Sequence, residues 1–190
     1  MKKEDIITLP NAHLRQKSSK IKPSDATKKL VDDMVSATLD WEDSRPHEIG
    51  AALAAVQIDR LERVIIVRSD FDDKTSRDFT VLLNPQIIKL EGDIVKDHEG
   101  CLSVKDVYGH VPRHNKVKVK AQDIEGNEIR IKAEGFLARV LQHEIDHTNG
   151  VLFIDHIKDT SEAFYQLSDA GELVALDYEK DVKDNNILWD

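Results

Sequence analysis

Glu134-Gly135-Phe136-Leu137-Ala138-Arg139-Val140-Leu141-Gln142-His143-Glu144-Ile145-Asp146-His147-Thr148-Asn149 is the stretch on which the fold turns. Phe136, Leu137, Val140, Leu141 and Ile145 recur at helical spacing and make a broad apolar stripe. Asn149-Gly150 supplies a stop at the C-terminal end. A helix over residues 134–149 with so wide an apolar face has to be covered by other elements, and its surroundings read as strands.

Just upstream, residues 117–121 alternate apolar side chains with lysine, Glu125-Gly126-Asn127 signals a turn, and residues 128–133 alternate again. The pattern predicts a β-hairpin over 117–133. Residues 63–68 carry the run Val64-Ile65-Ile66-Val67, residues 80–83 end at Asn84-Pro85, and residues 86–90 continue in extended style. Residues 23–43 have helical spacing through Leu30, Met34, Val35, Thr38 and Leu39, with Ser24 or Asp25 as the cap. Residues 43–47, which include Pro46, break that pattern. A last helix is expected over 161–178, weakened by Gly171, with a frayed tail after Asp177. The class is α+β: antiparallel strands and hairpins folded around a central helix that carries a histidine motif.

That motif is His143-Glu144-Ile145-Asp146-His147. Residues four apart share a helix face, so the two imidazoles can aim at one ion, with bonds of ~2.0–2.1 Å for a zinc-like metal. Glu144 points roughly 100° around the helix, able to reach a water on that ion without gripping the ion itself. A catalytic site needs a third protein ligand and an open position. Two candidates remain on residue type alone. His156 lies nine residues past His147; the lone cysteine, Cys101, follows Gly100 in His98-Glu99-Gly100-Cys101-Leu102-Ser103.

Composition narrows the function classes. The chain has 190 residues, 40% hydrophobic and 33% charged, enough for one domain with a real core. One cysteine forms no intrachain disulfide. No run approaches a membrane span, and the charged N-terminus is unlike a leader peptide, so a cytoplasmic location is expected and no membrane partner. A net charge of −9 argues against direct nucleic-acid binding. Lys116, Lys118 and Lys120 alternate along one strand face, which reads as a solvated face.

Three ordered segments resemble the peptide deformylase family: Gly50-Ala51-Ala52-Leu53-Ala54-Ala55-Val56-Gln57, Glu99-Gly100-Cys101-Leu102-Ser103, and Gln142-His143-Glu144-Ile145-Asp146-His147. The likeness runs from Ile6 to about Ile157. It implies hydrolysis of the N-formyl group of formyl-methionyl nascent peptides, with release of formate. It further implies one divalent ion on Cys101, His143 and His147, iron(II) by expectation with zinc or nickel as substitutes. Glu144 would act as general base and then acid on water activated by that ion. Gln57 and the backbone N–H of Leu102 would meet the oxyanion. The peptide would add as a strand along Gly50, Ala51, Ala52 and Gly100, its methionine walled by Ala51, Phe136, Val140 and His143. Glu99 and Arg113 would pair behind the metal ligands. Residues 1–158 would be the catalytic domain, and 159–190 a helix and acidic tail of the same domain.

The chain departs from the family pattern at three places. Ala52 stands where a second glycine is usual, Ala51 where a larger aliphatic is common, and Tyr108 where an arginine helps hold the peptide. The acidic C-terminal segment also lacks the basic helix by which some relatives dock on the ribosome, so any ribosome encounter would be transient and of another kind. Two other readings compete. A metallopeptidase is disfavoured by Cys101 in its segment. A metal-binding protein with altered substrate or little activity is supported only by Ala52 and Tyr108.

Overall fold

The computed structural model describes residues 1–45, 48–71, 73, 75–168 and 170–189. Ten elements organise it: α1 (Asp25–Asp43), β1 (Ala52–Ala54), β2 (Val64–Arg68), β3 (Phe79–Cys101), β4 (Val104–Gln122), β5 (Glu128–Glu134), α2 (Gly135–His147), β6 (Phe164–Leu167), β7 (Leu173–Ala175) and α3 (Asn186–Trp189). All strand pairs are antiparallel, in the order β1-β2-β3-β4-β6-β7, with β5 also on β4. The α+β class with a central helix is as expected. The break at Pro46 and His47 lies outside the described residues.

The apolar run of β2 is unbroken because both faces of this part of the sheet are covered. Ile65 and Val67 face α2 together with Ala52, Ala54, Val140, Leu141 and Ile145. Val64 and Ile66 face α1, among Leu30, Met34, Ala37 and Leu53. Ser24 caps α1, its hydroxyl accepting from Thr27 N at 3.2 Å. The β4–β5 hairpin closes at Asp123–Asn127 as the turn residues predict, with Gly126 N donating to Asp123 O at 3.0 Å. Lys116, Lys118 and Lys120 each meet a carboxylate, on Glu134, Glu91 and Glu128 respectively, so this strand face carries matched charges.

Two expectations are corrected. Residues 79–101 form one strand: the chain passes Asn84 in the left-handed region (φ 53°) with a register shift, and continues through 91–101 to the turn before β4. That bulge is where a proline can sit in a sheet. The helix expected over 161–178 is instead the β6–β7 hairpin. Gly171 at φ 80° and a turn in which Gly171 N donates to Ser168 O at 2.9 Å reverse the chain there. The segment after Asp177 is not frayed. A short π-helical turn, Tyr178–Val182, and α3 bury Val182 and Leu188 in a second core with Phe153 and Phe164.

Candidate active site

The three motif segments arrive from three directions. β1 is an edge of the sheet, paired only with β2 among the described residues. Cys101 ends β3, where Leu102 and Ser103 turn the chain into β4. His143, Glu144 and His147 lie on the buried face of α2.

Cys101 Sγ stands 3.2 Å from His147 Nε2, and the two imidazole rings are 4.9 Å apart at 70°. One ligand atom from each of Cys101, His143 and His147 falls within 4.8 Å of the other two. A soft thiolate and two imidazoles at that spread suit a first-row divalent ion, whose bonds run ~2.0–2.3 Å. Two of the four buried side-chain atoms without a hydrogen-bond partner among the described residues are here, Glu144 Oε2 and His147 Nδ1. The thiolate and imidazole donors of Cys101, His143 and His147, converging within 4.8 Å, fit a metal. His156, the other ligand candidate, is engaged elsewhere: its Nε2 lies 2.7 Å from Asp146 Oδ2.

Glu99 is the hub behind the Cys101, His143 and His147 cluster. Its Oε2 is 2.9 Å from His143 Nδ1, which leaves Nε2 of that ring for an ion. Arg113 grips both oxygens, Nε to Oε1 at 2.9 Å and an η nitrogen to Oε2 at 3.1 Å. Arg139 donates to Oε1 at 2.7 Å and to the Val111 carbonyl at 2.8 Å. Burial opposes charge on Glu99, yet the hydrogen bonds and charges of His143 and Arg113 hold its carboxyl far below the usual range. Burial likewise pushes the His143 ring down, and its contacts to Cys101 and Glu99 more than reverse this. His147 is driven well below its ordinary value by burial and by the neighbouring His143. Burial raises Glu144 to about 7, so this carboxyl can both take and give a proton near neutrality.

Gln57 is buried and oriented at both ends of its amide. Oε1 accepts from Ala54 N at 2.9 Å, while Nε2 donates to Ser103 Oγ at 3.1 Å and lies 3.5 Å from Cys101 Sγ. The metal cluster opens onto a cavity of about 420 Å³ walled by Ala51, Ala52, Gly100, Leu102, Phe136 and Val140, among others. Gln57 and Glu144 also reach it. Gly50 does not line it; its N–H is held by Glu42 at 2.7 Å and its carbonyl by Arg68 at 3.3 Å. Ala52 sits in extended backbone and is not among the residues of positive φ, so its methyl costs no strain there. Tyr108 donates its hydroxyl to Glu48 and lines the same cavity.

A model of the polypeptide deformylase family matches residues 3–163. The chain belongs to that family. A peptide deformylase of Thermomicrobium roseum is 43% identical, over 84% of this chain and 89% of its own. Among solved structures, the peptide deformylase from Synechococcus elongatus in complex with actinonin is 33% identical with a TM-score of 0.73, covering 82% of this chain and 80% of that one. The Met-Ala-Ser bound class I type b deformylase from Acinetobacter baumannii is 31% identical with a TM-score of 0.70, over 80% and 96%. As a deformylase the chain is a metal-dependent hydrolase that removes the N-formyl group from nascent peptides.

Sequence reasoning missed Arg139, the Asp146–His156 pair and the Glu42–Arg68 pair behind Gly50. Arg139 left one signal: it stands one turn before His143 on the face the motif occupies.

Proposed function

We propose that Cys101, His143 and His147 hold a single divalent ion, iron(II) in the cell, with zinc or nickel able to take its place. The bound ion supplies Lewis acidity to the formyl oxygen and to water. Glu144 takes a proton from the attacking water and returns it to the departing amide nitrogen. The carbon–nitrogen bond of the formamide breaks, and formate and a free α-amino group leave. As the formyl oxygen gains charge, it accepts from Gln57 Nε2 and from the N–H of Leu102; losing one such donor typically costs about 10²–10³ in kcat.

The substrate is a formyl-methionyl peptide lying as an added strand against Ala51 and Ala52 of the free β1 edge and against Gly100. Its methionine enters between Ala51, Phe136 and Val140, with His143 at the base. Gly50 supports this edge from behind through Glu42 and Arg68. Glu99, fixed by Arg113, orients the His143 ring. Residues 1–158 carry the catalysis, and 159–190 complete the same domain. The enzyme works in the cytoplasm and meets ribosomes transiently, without a basic C-terminal helix and without binding nucleic acid directly. No described helix is long and apolar enough to cross a membrane.

The observation that carries these assignments is the convergence of three ligand atoms within 4.8 Å beside a buried carboxyl, at the floor of one cavity. The test loads the protein anaerobically with iron(II), or with nickel, and measures formate from formyl-Met-Ala-Ser. The wild type turns over with both, and Glu144→Ala keeps one equivalent of metal while losing at least ~10² in kcat. Metal-loaded wild type without formate release, or an active Glu144→Ala, contradicts the assignment.

A further inference from the structure

The family match ends at residue 163, and the β6–β7 hairpin begins at residue 164. The Acinetobacter baumannii enzyme is 96% covered by only 80% of this chain, so part of this chain has no counterpart there. Yet Leu167, Gly171 and Leu173 of the hairpin wall the same cavity that holds the metal cluster.

The placement follows from strand alternation. Leu167 and Leu173 are register partners across β6 and β7, so their side chains share one face. Tyr165 and Ala175 form the next pair on that face, and the Tyr165 ring packs edge-on against His98, another cavity residue, at 5.0 Å. Gln166 and Val174 point the other way, and Val174 is 55% exposed. The hairpin is anchored. β6 pairs with β4 from Val107 to Gly109, Phe164 is buried, and Leu176 N donates to Phe164 O at 3.0 Å. Trp41 and Ile49, also apolar, line the same cavity.

We infer that the inward face of the C-terminal hairpin, chiefly Leu167 and Leu173, is a second apolar subsite, selecting large apolar side chains downstream of the formyl-methionine. The inference rests on the deformylase reading. A methionine at the Phe136–Val140 wall leaves the remainder of the peptide to occupy other parts of the cavity, where Leu167 and Leu173 supply apolar surface. A leucine there buries a side chain that an alanine lacks, and partial burial of that difference amounts to about tenfold in affinity.

The test compares formate release from formyl-Met-Ala-Ala, formyl-Met-Leu-Ala and formyl-Met-Ala-Leu by the metal-loaded full chain. At least one leucine peptide is expected to exceed the alanine peptide by roughly tenfold in kcat/KM, mostly through KM. Leu167→Ser/Leu173→Ser collapses that ratio toward one, Leu167→Met/Leu173→Met restores it, and Val174→Ser on the outer face keeps the wild-type ratio. Thermal unfolding of each variant in parallel separates lost selectivity from lost fold, because the ratio is internal to each sample. No formate from any peptide with the wild type overturns the deformylase reading and this inference together. Formate release without a leucine preference, or with a preference the double serine variant retains, overturns the subsite alone.

Discussion

At the residue scale, Glu144 carries the clearest conflict between stability and function. Its carboxyl is buried, one oxygen lacks a partner, and burial lifts it to about 7. In the unfolded chain it titrates near its ordinary value of ~4.3. Between these two values the folded, metal-free protein binds the proton more tightly than the unfolded one. The slope of stability with pH is therefore negative in that window, and above pH 7 the deficit is complete. Metal-free Glu144→Gln, which keeps the shape and removes the titration, should be more stable than metal-free wild type by on the order of 3 kcal/mol at pH 8. That gap should shrink as pH falls through 7 and vanish below 4. Urea melts of the two proteins at pH 4, 6 and 8 check it, and a gap that grows toward acid pH contradicts it. On the role proposed for Glu144 the variant also loses activity, so stability would be exchanged here for proton transfer.

At the element scale, the β3–β4 turn shows how one departure from the family pattern is absorbed by another part of the hairpin. A methyl group built on Gly100 would come within 2.5 Å of Tyr108 Cε1. Gly100 is not among the glycines of positive φ, so the limit is space and not backbone conformation. Tyr108 lies nearly opposite, since Glu99 registers with Gly109, and its ring fills the room a side chain would need. Gly100→Ala should thus cost about 1–3 kcal/mol by overpacking, and most of that cost should disappear when Tyr108 is also made Ala. A double-mutant cycle on chemical unfolding measures the coupling, and additive costs would show that the ring simply moves aside.

The same scale explains what was legible in the sequence. α2 and the β4–β5 hairpin were readable because their periods are clean and their ends carry turn residues. The convergence of Cys101, His143 and His147 was readable because a histidine pair four apart and a lone cysteine in a recognisable segment are rare. The last hairpin was misread for a physical reason. Phe164, Leu167, Gly171 and Val174 fall at helical spacing, and only their partners in space decide the matter. Phe164 packs in the core with Trp189 and β6 completes the sheet on β4, neither of which local periodicity records. Arg139, the Asp146–His156 pair and the Glu42–Arg68 pair were missed likewise, since each is defined by a contact between separate segments.

At the scale of the whole molecule, the segment beyond the family match is part of the core. Phe164, Val182 and Leu188 are buried with Leu9, Leu14, Val104, Val111 and Phe153, a cluster that spans both chain ends and touches the turn bearing Cys101. Arg15 ties the ends further, bonding Asp155 at 2.6 Å and the Leu188 carbonyl at 3.3 Å. Removing residues 164–190 would strip three large apolar side chains from that cluster, each worth ~1.5–3 kcal/mol of burial, and expose the surfaces they covered. Against a typical total stability of ~5–15 kcal/mol, the loss is large even after the entropy regained by the freed segment is counted. A chain ending at Ala163 should therefore unfold at least ~10 °C lower than the full chain, or fail to stay soluble, although it contains every residue assigned to the chemistry. Thermal unfolding of both chains with the same metal bound decides it. An unchanged midpoint would mean that the family core stands alone and that the C-terminal segment is only laid upon it.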